Sequence, residues 1–174
     1  RMSCNPAIGG LAKGHIVKEI DALGGFMGRA ADACGIQFKM LNKSKGRAVW
    51  SPRAQIDKLK YQKHAQEEIS GDDNIEIISD EAVDIFVNNR QIVAVGLEAR
   101  GKLRCASLII TTGTFLSGLM HIGTSTYGAG RMGERPANLL TGALESLGFE
   151  HKRLKTGTPP RVSLDSINLG LLET

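Results

Sequence analysis

The stretch Ser3-Cys4-Asn5-Pro6-Ala7-Ile8-Gly9-Gly10-Leu11-Ala12-Lys13-Gly14-His15 constrains the fold of this chain more than any other. It is a polar, glycine-rich loop with one cysteine, and it runs directly into an apolar-periodic segment that begins near Gly14. Glycines at positions 9, 10 and 14 permit positive φ and close approach of the backbone to a ligand. The amides at the start of the following helix would then point at an anion. The same glycines also suit a tight loop that only has to turn, because no full G-x-G-x-x-G is present. Cys4 has two readings as well: a reactive thiol of lowered pKa near a helix start, or a small buried apolar residue.

Composition narrows the class. A chain of 174 residues, 41% hydrophobic and 23% charged, is long enough to bury a core and is not globally disordered. No apolar run approaches the roughly 20 residues of a membrane span, and the N-terminus lacks a signal-peptide core, so the expected location is cytoplasmic with no membrane contact. Cys4, Cys34 and Cys105 are odd in number and far apart, which fits reduced thiols and implies no metal site. The net charge of +4 is unevenly spread: eight basic residues and the single acid Asp57 lie between Lys39 and Lys63, and eight acids with no Lys or Arg lie between Gln66 and Asn89. Such basic clustering fits either a nucleic-acid footprint or a solvated face. Lys45, Arg47 and Arg53 are the candidate phosphate contacts. The chain opens with the loop already upon it and ends without a stop signal, which reads as an internal piece of a longer protein.

Periodicity supplies the elements. Ile16, Val17, Ile20 and Leu23 predict a helix stopped by Gly24-Gly25, and Phe26, Met27, Ala30, Ala31 and Cys34 a second, closed by Gly35 at C′. Alternation over 36–41 predicts a strand, followed by a basic loop over 42–52. Ser51-Pro52 reads as N-cap and N1 of a helix running to about residue 69. Strand-like runs follow at 75–79, 82–88, 92–99 and 103–106, with hairpin chemistry at Asn88-Asn89-Arg90 and Arg100-Gly101-Lys102, so three of them form an antiparallel meander. Residues 107–111 read as a buried parallel strand ending in Thr112-Gly113-Thr114. Beyond a glycine-rich stretch at 123–133, Leu139 to Leu147 predicts a helix ended by Gly148, then a strand over 149–155 and a rigid loop, Thr156-Gly157-Thr158-Pro159-Pro160-Arg161.

That order resembles the FAD domain of two-dinucleotide-binding flavoproteins. More closely, Ser3-Cys4-Asn5-Pro6-Ala7-Ile8-Gly9-Gly10, Leu23-Gly24-Gly25, Gly35-Ile36-Gln37-Phe38, Thr111-Thr112-Gly113-Thr114-Phe115-Leu116, His121-Ile122-Gly123 and Leu154-Lys155-Thr156-Gly157-Thr158-Pro159-Pro160-Arg161 resemble the tRNA uridine 5-carboxymethylaminomethyl modification enzyme family, the MnmG or GidA proteins. The resemblance covers essentially the whole chain. It implies an α/β fold, an FAD-binding Rossmann-like domain with a three-stranded β-meander, truncated at both ends. Residues 1–122 would be part of the FAD-binding domain, without its first strand and G-x-G-x-x-G loop, and 123–174 a linker and the start of a nicotinamide-binding insertion.

The resemblance also implies an activity. An FAD enzyme of this kind acts with a GTPase partner, MnmE, as a homodimer within a heterotetramer. It uses methylenetetrahydrofolate, glycine or ammonium, and NADH to modify the wobble uridine of tRNA. Carried over residue by residue, Cys4 is the candidate catalytic thiol beside the flavin ring, with Asn5, Gly9 and Gly10 of the same loop as candidate cofactor-binding residues. Val83 meets the adenine end, and Thr112 and Gly113 form a second flavin-proximal loop. Ala137 stands where relatives can carry a serine associated with FAD. The competing functions are a folate- and FAD-dependent tRNA uridine methyltransferase, and a non-catalytic module that only binds tRNA or a subunit. The isolated piece is expected to be inactive.

Overall fold

The computed structural model describes residues 2, 5–130, 133–155, 157 and 162–171. They form two compact units, one of residues 1–76 with 155–174 and one of residues 77–154.

The first unit is built on a three-stranded antiparallel sheet of β1 (Ala7–Gly9), β2 (Gly35–Leu41) and β3 (Ser51–Ile56), with β3 in the centre. Two helices lie between β1 and β2 in sequence: α1 (Lys13–Ala22) and α2 (Phe26–Cys34). Ile8, Ala31, Cys34, Ala54 and Ile56 make the core, with Val17 and Tyr61 packed against it. Burial raises the Tyr61 hydroxyl pKa, and the Cys34 thiol adds to the shift. Gly24 and Gly25 end α1 as expected. Gly24, at φ +80°, donates to the Asp21 carbonyl and Gly25 to that of Ile20, both at 2.9 Å, which is a Schellman closure.

Several local expectations are corrected. Ile16 and Leu23 are 55% and 89% exposed, because α1 meets the sheet through the buried Gly14 and not through a full apolar stripe. Gly35 is not a left-handed C′ residue; at φ −70°, ψ 139° it passes straight into β2. Ser51-Pro52 opens the central strand, not a helix. Ser51, Ala54 and Ile56 are buried there, and pairing with both β1 and β2 outweighs the local N-cap signal. The helix starts later as α3 (Lys58–Ser70), where the Asp57 carboxylate accepts from the amides of Leu59 and Lys60 at 3.0 Å.

The second unit holds the predicted meander, β4 (Ala82–Asn88), β5 (Gln91–Leu97) and β6 (Gly101–Arg104), paired in that order. Asn89 and Arg90 at φ +49° and +64° form the two-residue turn that the strand twist favours. Asp80 ties the other end: its carboxylate accepts from the amides of Ala99 at 3.1 Å, Arg100 at 3.0 Å and Glu81 at 2.8 Å. The Ala99 amide is the largest cause that holds the Asp80 carboxyl below its ordinary value. A hairpin follows, β7 (Leu119–Ile122) with β8 (Ser125–Gly128), whose turn and second strand fall in the stretch that read only as glycine-rich. Then α4 (Leu139–Ser146) packs on β4 and closes at Gly148, which donates to Glu145 at 2.9 Å while Phe149 donates to Leu144 at 3.1 Å.

Residues 75–79 and 149–155 form no strand. Residues 107–111 are extended in sequence character yet join no ladder; Ile109 is 86% exposed. Apolar continuity marks a segment suited to burial, but a strand also needs a hydrogen-bonding neighbour, and none of the described strands pairs with it.

Candidate functional site

In the first unit the glycine loop is pinned to β3. The Gly10 amide donates to the Pro52 carbonyl at 2.8 Å, and the buried Ser51 hydroxyl donates to the Gly10 carbonyl. Gly9 and Gly10 lie at φ +79° and +96°. A Cβ at Gly9 would strike the Pro52 carbonyl, and one at Gly14 would come within 2.8 Å of the Ser51 hydroxyl and 2.9 Å of the Pro52 carbonyl. Gly9 and Gly14 are therefore required by the loop's seat on β3, quite apart from any ligand, while Gly10 answers only to its positive φ. Ser51, which looked like a helix cap, is the buried anchor of this loop.

The same strand organises Asn5. Arg53 Nη2 donates to Gln55 Oε1 at 3.0 Å, and Gln55 Nε2 donates to Asn5 Oδ1 at 3.0 Å. Arg53 is half-buried, and its cross-strand partners are Gly9 on β1 and Lys39 on β2. Gln55 was not singled out from sequence, since a lone glutamine carries no motif; its place two residues from Arg53 on a strand is the signal that could have found it. Cys4, the candidate thiol, lies outside the described residues, as do most residues of the 156–161 loop.

A cleft of about 330 Å³ opens in this unit, with Ile8, Val17, Ala31, Phe38, Met40 and Ala54 among its walls and Lys18, Asp21 and Asp32 contributing charge. The basic loop beyond β2 consists of two single 3₁₀ turns, Lys43–Lys45 and Arg47–Val49. Trp50 holds it together: its indole donates to the Lys43 carbonyl at 3.2 Å, and the Arg47 guanidinium lies 5.8 Å from its ring centre. Lys45 and Arg47 remain exposed.

In the second unit Val83 is half-buried in β4. Thr112 and the neighbouring Ala82 line one apolar groove of about 240 Å³, together with Val95, Leu108–Thr111 and Leu140. Gly113 follows at φ +64° with open space where a Cβ would stand. Ala137 makes an isolated bridge to Leu116: its amide donates to the Phe115 carbonyl at 3.1 Å and its carbonyl accepts from Ser117 at 3.0 Å. Both backbone groups of Ala137 are thus engaged within the fold. Thr141, also buried, shares a 2.7 Å hydrogen bond with Ser117.

Among the described residues no group of three or more His, Cys, Asp or Glu could hold a metal ion, and no helix is long and apolar enough to cross a membrane. Cys34 and Cys105 are free thiols, Cys34 buried.

Comparison with known proteins places this geometry. The family described as "Glucose inhibited division protein A" matches residues 1–174. The "tRNA uridine 5-carboxymethylaminomethyl modification enzyme MnmG" of Salinibacter ruber is 49% identical over 99% of this chain and 26% of its own length. The protein of the same name from Campylobacter fetus subsp. fetus is 50% identical over 98% of this chain and 28% of its own length. Among solved structures, Aquifex aeolicus GidA in its form II crystal superposes with a TM-score of 0.89 at 46% identity, covering 99% of this chain and 29% of that one. The chain therefore spans little more than a quarter of the relatives it matches.

Proposed function

This chain belongs to the glucose inhibited division protein A family, and from that premise we propose that it is part of an FAD-dependent enzyme modifying the wobble uridine of tRNA at C5. The observation that carries the proposal is the continuous likeness, at 46–50% identity, to proteins named for this reaction and to a GidA structure. On this reading residues 1–122 contribute to the FAD-binding domain and 123–174 lead into a nicotinamide-binding insertion. The working enzyme is a cytoplasmic homodimer paired with the GTPase MnmE, and it draws on NADH, methylenetetrahydrofolate, and glycine or ammonium.

The residues present suit a large flat cofactor. Gly113 offers backbone without a side chain, and the groove that ends at its neighbour Thr112 has an apolar wall of Ala82, Val95 and Leu140. Bound flavin would supply the redox chemistry. Val83, Thr112 and Gly113 would hold it, while Cys4, with Asn5, Gly9 and Gly10 in its loop, would meet the reacting base. Lys45 and Arg47, exposed on the Trp50-braced turns, would contact phosphates.

The test is made on the full-length protein. It should show a flavin absorption spectrum and, with tRNA, the GTPase partner, methylenetetrahydrofolate, NADH and glycine or ammonium, form the aminomethyl-type product at the wobble uridine. Cys4→Ser should abolish product while keeping flavin. A colourless protein would mean a binding module, and a 5-methyl product would mean the methyltransferase.

A further inference from the structure

We propose that Asn5 is the residue that reads the C4 carbonyl of the reacting uracil, and that Arg53 and Gln55 are positioning residues that fix its amide with the nitrogen outward. This rests on the tRNA-uridine reading above.

The geometry starts from the alternation of β3. Ala54 and Ile56 point into the core, so Arg53 and Gln55 lie on the opposite face, beside β1 at Gly9 and Ala7. Gln55 uses both ends of its amide there: its oxygen accepts from the Arg53 guanidinium, so its nitrogen faces Asn5 and must donate. Asn5 must then turn its oxygen toward Gln55. Among the described residues its Nδ2 has no partner and forms the outer end of the chain, on an exposed residue that follows Cys4 in sequence. The guanidinium at the head polarises each bond in the series, which strengthens the terminal donor.

Arg53 has a further peculiarity. It is half-buried, it forms no ion pair among the described residues, and the residue directly across the β2 ladder is Lys39. Like charges in opposed positions destabilise a sheet. Asp21 and Asp32 line the same cleft, but neither forms an ion pair with Arg53 or Lys39 among the described residues, so the Arg53 guanidinium is left to the Gln55 amide and the face presents donors to an electron-rich ligand. A pure donor beside the reacting C5 meets the adjacent C4 carbonyl of uracil, whereas cytosine would present an amino group to it. Asn5 thus selects uridine over cytidine, and Arg53 acts through Gln55 and not on a phosphate.

The test compares two anticodon stem–loop RNAs that differ only in uridine or cytidine at the wobble position, bound to the full-length protein by fluorescence anisotropy. Wild type should favour the uridine loop. Asn5→Asp keeps an oxygen for Gln55 but turns the outward end into an acceptor, so it should weaken uridine-loop binding by about tenfold and remove or reverse the preference. Gln55→Met should lower the preference with the salt dependence unchanged. Should Gln55→Met fail to fold, as judged by circular dichroism and flavin content, the exposed Asn5→Asp still decides. A uridine preference unchanged in Asn5→Asp would overturn the proposal. So would an Arg53→Ala variant that weakens both RNAs equally with a shallower salt slope, which would make Arg53 a phosphate contact. Failure of the wild type to modify any wobble uridine would overturn the underlying reading, and this assignment with it.

Discussion

Gly9→Ala and Gly24→Ala make an instructive pair, because the two glycines share a positive φ, +79° and +80°, and have opposite surroundings. At Gly24 an added Cβ meets nothing within 4 Å; at Gly9 it runs into the Pro52 carbonyl of the central strand. Both substitutions carry the left-handed penalty of about 1–2 kcal/mol, and both regain about 0.4–1 kcal/mol from a stiffer unfolded chain. These shared effects cancel in the difference. Gly9→Ala alone must also displace a backbone carbonyl held by the Gly10 amide, an overpacking cost of about 1–3 kcal/mol. Trp50 is the only tryptophan and lies in the same unit, so its fluorescence reports urea unfolding of that unit. With m near 1–3 kcal/mol/M, the Gly9→Ala midpoint should fall below that of Gly24→Ala by on the order of 1 M. Equal midpoints at equal m would refute the close approach of the loop to β3.

The Lys45→Ala, Arg47→Ala double variant of the full-length protein should keep its flavin but bind tRNA more weakly, with the slope of log affinity against log salt reduced by about 0.7 to 0.9 for each phosphate no longer neutralised; an unchanged slope would leave these charges as solvated surface. Asp80 has a lowered carboxyl pKa, so its amide bonds stabilise the β5–β6 turn above the unfolded value of 3.8 and are lost as pH falls through the lower folded value. Hydrogen exchange should show protection of the Ala99 and Arg100 amides falling on acidification below that point, and constant protection would count against the tether. Gly113→Val places a β-branched side chain at φ +64° in the Thr112-Gly113 turn and should release FAD from the full-length protein; full flavin occupancy in a folded variant would move the cofactor away from this turn.

What could be read from sequence was local chemistry. Gly24-Gly25 and Gly148 stop helices because only glycine takes the left-handed C′ position easily, and Asn89-Arg90 sits where the meander must turn. The positive φ of Gly9 and Gly10 was foreseeable in the same way. What could not be read depended on partners distant in sequence. Ser51-Pro52 has the local form of a helix start, yet β1 and β2, about 40 and 15 residues upstream, claim it as a strand. The hairpin of β7 and β8 lacks the alternating apolar pattern that identifies a half-buried strand, since most of its residues are exposed. Gln55 escaped notice for a related reason: its meaning lies in two hydrogen bonds, one of which spans 50 residues to Asn5.

The central strand now makes a sharper forecast than any single motif, because neighbouring residues on it face different constituencies. Ile56 is 1% exposed among Ile8, Ala31, Cys34 and Ala54, whereas Gln55 faces Asn5 and Arg53 on the other side. Ile56→Ala removes buried methyl groups and leaves a cavity, at a cost of about 2–5 kcal/mol, but it touches no member of the hydrogen-bonded chain that ends at Asn5. Below its unfolding midpoint this variant should therefore bind the uridine and cytidine stem–loops with the wild-type ratio. Gln55→Met, one residue away and of similar volume, should do the reverse, losing the ratio with a much smaller loss of stability. Chemical denaturation paired with the two-RNA binding assay measures both quantities on the same preparations. If the ratio followed stability across the two variants, the preference would belong to the fold as a whole, and the separation of the two faces of β3 would have no functional content.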